Sequence, residues 1–149
     1  MATINAHTNV YAAWPEGYKA WYQLSKAVYS SGLDGSLLNL VMLRASQLNG
    51  CAYCLDLHAR EAREAGEDQR RLDTLAGWRD APWFDESEQA ALALTEAVTL
   101  LGQAHVPDAV VDEAIRCFGE EGFAKLLLGI VVINGWNRIN VTARVEPES

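Results

Sequence analysis

The stretch DGSLLNLVMLRASQLNGCAYCLDLH, residues 34–58, reads as two helices separated by one abrupt stop. Asp34 is a residue type that favours the cap position, and Leu37, Leu40, Val41 and Leu48 recur at helical spacing to give one apolar face. Asn49-Gly50 ends that run, because glycine readily takes the left-handed conformation that closes a helix. The next helix therefore starts at or near Cys51 and continues through Ala65 to a cap at Gly66, with charged residues from Arg60 to Glu64 in its last turns.

The same spacing of three and four governs the chain on either side, and no stretch alternates as a half-buried strand would. A helix opens at Pro15, runs through Trp21, Leu24 and Val28, and stops at Ser30-Ser31-Gly32. Beyond Gly66 a short helix around Leu72 and Leu75 reaches Trp78, and Asp80-Ala81-Pro82-Trp83 is a loop. Asp85 and Glu88 form a capping box for a helix carrying Leu92, Thr95, Glu96 and Thr99 up to Gly102. Pro107 opens another helix, closed by Gly119. The last, roughly Glu121 to Asn140, is apolar on most sides from Phe123 to Ile133, which calls for partners all round and suggests a subunit interface. The expectation is an all-α single domain over residues 1–149, a bundle of about six to seven helices that oligomerises through helix packing.

Composition narrows the function. Twenty acidic residues against 12 basic ones give a net charge of -8, so the surface field repels phosphate backbones and anionic lipid headgroups. Nucleic acid and membrane are not expected partners. The first 20 residues carry no basic segment followed by an apolar one, and the longest apolar run, Leu126 to Ile133, falls far short of the roughly 20 residues a spanning helix needs. Three cysteines are too few, and too odd a number, for a disulfide framework, and two are three residues apart. That pattern fits a reducing compartment, the cytoplasm, where the pair reacts instead of stapling.

On a helix, Cys51, Cys54 and His58 are separated by three and four residues and share one side. Helix N-terminal amides favour a thiolate, and a histidine one turn on can take the proton. The proximity of His58 assigns the nucleophile to Cys54 and the resolving thiol to Cys51, whereas nearness to the helix end favours the reverse order. Zinc would need a fourth ligand, and no second Cys/His pair at ligand spacing offers one, leaving another subunit or distant His105 or Cys117 to supply it. No metal or other cofactor is expected. Cys117 reads as a buried, apolar-like residue, His105 as a capping or solvent-facing one, and His7 has no role.

Gly32-Leu33-Asp34, Leu38 to Leu43, Arg44 to Cys54 and His58-Ala59-Arg60-Glu61-Ala62 together resemble the carboxymuconolactone decarboxylase superfamily, in its alkylhydroperoxidase D-like branch. Trp78 to Pro82, Leu94 to Val98 and Ile133 to Ile139 are similar to further segments of that branch, so the resemblance covers about residues 15–141. It implies an all-helical fold assembled as trimers or hexamers and a peroxide-reducing dithiol, with the attacking thiolate at Cys54, the resolving thiol at Cys51 and the proton-relay histidine at His58. The family's relay carboxylate, twelve residues before the first cysteine, falls on Asn39, which can hydrogen-bond but cannot move a proton at neutral pH. The histidine that one type carries between the cysteines is Tyr53. Glu96, an acidic residue on a mostly apolar helix, is the candidate replacement carboxylate, a salt-bridged structural role being the alternative. The expected substrate is a hydroperoxide, and the expected donor is an external dithiol on a lipoyl-bearing or thioredoxin-like protein. An oligomeric scaffold with little activity, its relay damaged at Asn39, is the competing expectation, and lactone decarboxylation, which has no use for a paired thiol, ranks below both.

Overall fold

A computed structural model of the chain describes residues 8–149, so His7 lies outside the described residues. Every regular element in that range is helical: α1 (Val10–Ala13), α2 (Pro15–Tyr29), α3 (Gly35–Asn49), α4 (Ala52–Glu64), α5 (Gln69–Asp73), a 3₁₀ turn (Leu75–Gly77), α6 (Glu86–Thr99) and α7 (Asp108–Thr142). The expected starts and stops follow from the residues named above. Asp34 caps α3 by accepting from the Leu37 amide, and the Asp85–Glu88 capping box is formed in both directions. Gly119 breaks α7 in two with φ 71° and ψ 173°, a conformation nearly restricted to glycine. α1 is an addition: Asn9 caps a single turn in a segment whose apolar spacing is too short to announce it.

One feature of α3 departs from its sequence pattern. Instead of one buried face, it buries Leu37, Leu38, Leu40, Val41, Met42, Leu43, Ala45 and Ser46, because α4, α6 and α7 all pack around it. The three core clusters each draw on α3, and one of them contains Cys51 and Cys54 beside Val28, Met42, Val132 and Ile133. α3 is thus the axis of the bundle, and burial of so many leucine-sized side chains is its main support. The apolar second half of α7 is mostly absorbed by this same core, which takes Leu126, Ile130, Val132 and Ile133. Leu128 and Val131 on that stretch stay exposed, at 46% and 43%. No helix among the described residues is long and apolar enough to cross a membrane.

α2 lies across the site end of α7. A side chain at Gly135 would have its Cβ only 2.3 Å from the Trp21 ring, so the missing Cβ is what lets α2 approach, and the Trp21 and Trp136 rings meet edge-on with centroids 5.8 Å apart. Gly135→Val should destabilise the fold by about 1–3 kcal/mol through overpacking, read from urea unfolding. Unchanged stability would mean that α2 is not seated on α7 as described.

Candidate active site

The site begins at the reversal between α3 and α4. Gly50 adopts φ 65°, and this left-handed turn lets the Cys51 amide donate back to the Ser46 carbonyl at 3.1 Å. Cys51 is thereby set as the N-cap of α4, where its sulfur accepts from the Cys54 amide at 3.4 Å. Cys54 follows one turn later and His58 another, and all three are buried at 1%, 2% and 5% exposure. The sequence-predicted trio is brought together as its spacing requires.

α7 supplies the opposite wall. Asn140 Nδ2 donates to Cys54 Sγ at 3.5 Å, and its Oδ1 accepts from the Tyr11 hydroxyl at 2.5 Å. Asn137, one turn earlier, faces the pair and favours the ionised form of both thiols, and is itself fixed by donating to Ser46 Oγ at 3.0 Å and accepting from Asn49 Nδ2 at 2.9 Å. Asn140 thus donates to the Cys54 sulfur, and Asn137 favours the thiolate of both cysteines from the same helix face. Sequence reasoning missed both residues, although polar Asn134, Asn137 and Asn140 at spacings of three on an apolar helix were the available signal.

These contacts set the ionisation of the pair. The hydrogen bond from Cys54 stabilises a Cys51 thiolate foremost; against the cost of burial, the amides of Cys54 and Tyr53 and the Asn137 side chain add to that effect, and the Cys51 pKa is lowered to about 7. Cys54, which donates in that bond and is buried, is pushed up. The two thiols behave as one coupled acid whose first proton leaves readily, with the charge resting on Cys51.

Cys54 opens onto a cavity of about 820 Å³ walled by Tyr11, Tyr29, Tyr53, Leu57 and Trp136. His58 and Glu61 line it as well, and His58 Nδ1 lies 3.0 Å from Glu61 Oε2. A carboxylate only accepts, so the ring donates from Nδ1 and Nε2 is left as the proton acceptor. Burial foremost raises Tyr11 and Tyr29 to about 12, and Tyr53 is also pushed up, so the tyrosines stay protonated, Tyr11 donating to Asn140. No lysine or arginine is among the described lining residues.

Glu96 is not part of this constellation, which corrects the sequence expectation. Its carboxylate takes hydrogen bonds from Arg44 Nε (2.9 Å), Trp78 Nε1 (2.8 Å) and Arg79 (2.5 Å), joining α3, α6 and the 3₁₀ turn region. Burial would raise its pKa, but those three donors outweigh it and hold the carboxyl below its usual range. Glu61, which sequence reasoning passed over, is the acid that reaches the histidine; its position three residues after His58 on a helix was the readable signal. Asn39 sits half-buried on α3 and does not line the cavity. Cys117 is half-buried rather than buried, its thiol near Glu113, and burial foremost raises its pKa. His105 is exposed. Among the described residues no three His, Cys, Asp or Glu side chains are grouped to hold a metal ion.

Residues 15–97 match the Carboxymuconolactone decarboxylase family. Uncharacterized protein YdfG of Bacillus subtilis is 34% identical over 138 residues, spanning 93% of this chain and 94% of its own length. Uncharacterized protein YnjA of Escherichia coli is 33% identical over 86 residues, 58% of this chain and 44% of that protein. Among solved structures, a protein of unknown function from Agrobacterium tumefaciens, suggested to be the antioxidant defence protein AhpD, superposes with a TM-score of 0.92 at 35% identity, covering 97% of this chain and 99% of that one. The debrominase Bmp8 in complex with 2,3,4-tribromopyrrole shares the fold, with a TM-score of 0.82 at 21% identity over 93% of this chain and 74% of its own.

Alkylation of Cys51 by iodoacetamide, followed by peptide mass, should rise with a midpoint near pH 7. Cys54→Ala removes the S–H donor that favours the thiolate, so the midpoint should move up toward the roughly 8.5 of a free cysteine. An unmoved midpoint would contradict the shared hydrogen bond. Glu96→Ala should leave this profile in place while costing about 1–3 kcal/mol of stability, because Trp78 and Arg44 lose their acceptor.

Proposed function

Since this chain belongs to the carboxymuconolactone decarboxylase family, whose members share the fold but not one reaction, we propose that it is a thiol-dependent peroxidase that reduces organic hydroperoxides through Cys51 and Cys54. The observation that carries this reading is the placement of Cys54 and the His58–Glu61 pair in the wall of one aromatic cavity, with Cys51 hydrogen-bonded behind. The scaffold reading rested on the missing carboxylate at Asn39, and Glu61 fills that place next to the histidine.

The cycle starts with the shared proton. His58 holds the first proton lost by the pair, and transfer of the remaining one from Cys54 to Cys51 leaves the thiolate on Cys54, facing the cavity. Attack on the terminal oxygen of ROOH breaks the O–O bond, forms the Cys54 sulfenic acid and expels RO⁻, which takes the proton from His58. Cys51 then condenses with the sulfenic acid, forming the disulfide and releasing water. The thiols have lost two electrons and two protons, and ROOH has become ROH and H₂O.

The cavity favours an uncharged, flat organic group: its walls are aromatic, and its one acidic residue among those described, Glu61, is paired with His58. A carboxylated lactone would meet Glu61 and no lysine or arginine among the described lining residues, which disfavours decarboxylation of that substrate class. A second reading, removal of halogen from an aromatic ring, is supported by the same walls and by the fold shared with the debrominase. Turnover needs an external dithiol, from a lipoyl-bearing or thioredoxin-like donor in a reducing compartment such as the cytoplasm. Self-association as a trimer or hexamer would cover Leu128 and Val131.

With cumene hydroperoxide and dihydrolipoamide, Cys54→Ser should consume no peroxide, and Cys51→Ser should consume one equivalent and stall. Glu61→Ala should slow turnover about 10–100-fold by releasing the imidazole. Full turnover by Cys54→Ser would overturn the assignment, and bromide release from a bromopyrrole without peroxide consumption would favour the second reading.

A further inference from the structure

The two sulfurs open to different spaces. Cys54 lines the aromatic cavity and Cys51 does not, whereas Cys51 lines a second cavity of about 470 Å³ that Cys54 does not reach. The second space is built from the α3–α4 reversal at Gly50 and Ala52, from Val141 and Arg144 at the end of α7, and from Glu146 and Pro147 of the tail. Asn140 and Val145 contribute to both and form the partition. Arg144, at φ 55°, turns the chain back so that the Val145 amide donates to the Asn140 carbonyl at 3.0 Å, which holds that partition in place.

We propose that the dithiol is oxidised from one side and reduced from the other: hydroperoxide reaches Cys54 through the aromatic cavity, and the reducing dithiol attacks Cys51 through the second cavity. This rests on the redox reading above, and adds where the donor enters. Displacement at a disulfide sulfur is in line, so a thiolate attacking Cys51 must approach from the side away from Cys54. A cavity that touches Cys51 but not Cys54 offers that approach, and the aromatic cavity offers none.

The electron count follows the same geometry. The donor's first thiolate forms a bond to Cys51 Sγ, the Cys51–Cys54 bond breaks, and its electron pair goes to Cys54, which is protonated in the cavity it shares with His58. The donor's second thiolate then attacks its own sulfur in the mixed disulfide and expels Cys51 as a thiolate, to which the Cys54 amide donates. Two electrons have passed from the donor, which leaves as a disulfide. The walls of the second cavity carry one cation, Arg144, and one anion, Glu146, beside short side chains, so it fits a slender, flexible thiol arm and not an aromatic body.

The test installs the Cys51–Cys54 disulfide with diamide, which makes it independent of any activity toward hydroperoxides. Brief exposure to 2-mercaptoethanol, trapping with N-ethylmaleimide and peptide mass mapping then locate both products. The expected result is the mercaptoethanol adduct on Cys51 and the maleimide on Cys54, in at least tenfold excess over the reverse. Val141→Trp, at a position 41% exposed in the native chain, should slow adduct formation at least tenfold by filling the cavity. Ala52→Phe, at an exposed position on the facing wall, should do the same and serves if the first variant does not fold. An adduct chiefly on Cys54, or undiminished rates in a folded variant, would overturn the proposal.

Discussion

The left-handed turn at Gly50 is the constraint on which the rest of the site depends. It ends α3 while returning the Cys51 amide to Ser46, so that Cys51 becomes the N-cap of a new helix with its sulfur over that helix's open amides. A β-carbon at position 50 would oppose the turn and weaken every contact downstream of it. Because α3 is buried on nearly all sides, the start of α4 inherits the rigidity of the core. Two thiols three residues apart are thereby held as a hydrogen-bonded pair.

A second consequence is the division of labour across the pair. Backbone amides gather around Cys51, where a negative charge rests, and Asn140, His58 and the tyrosine-lined cavity gather around Cys54, where an oxidant can reach. The sulfur that ionises first is therefore not the one that faces the large cavity, and the proton between them connects the two roles. This reconciles the two orders that helix position and histidine proximity separately suggest.

Much of the frame was legible because caps are local chemistry. Asp34, Gly50, Asp85 with Glu88, and Gly119 mark element ends through groups within a few residues of each other. The all-round burial of α3 was not legible, since one helix period cannot show how many neighbours will pack on it. The same limit explains Glu96: an acid on an apolar helix signals a buried partner but not which one, and its partners Arg44 and Arg79 come from 52 and 17 residues away. Asn137 and Asn140 reach the cysteines from α7, where only tertiary packing brings them.

The central claim is that Cys51 and Cys54 are one redox unit that takes two electrons from the thiols to an organic hydroperoxide. Intact-mass analysis of the reduced chain before and after one equivalent of cumene hydroperoxide, with a count of free thiols, tests it directly. The account predicts loss of two hydrogens and two thiols, mapped to Cys51 and Cys54, with Cys117 still free. An unchanged mass with all three thiols free would contradict it.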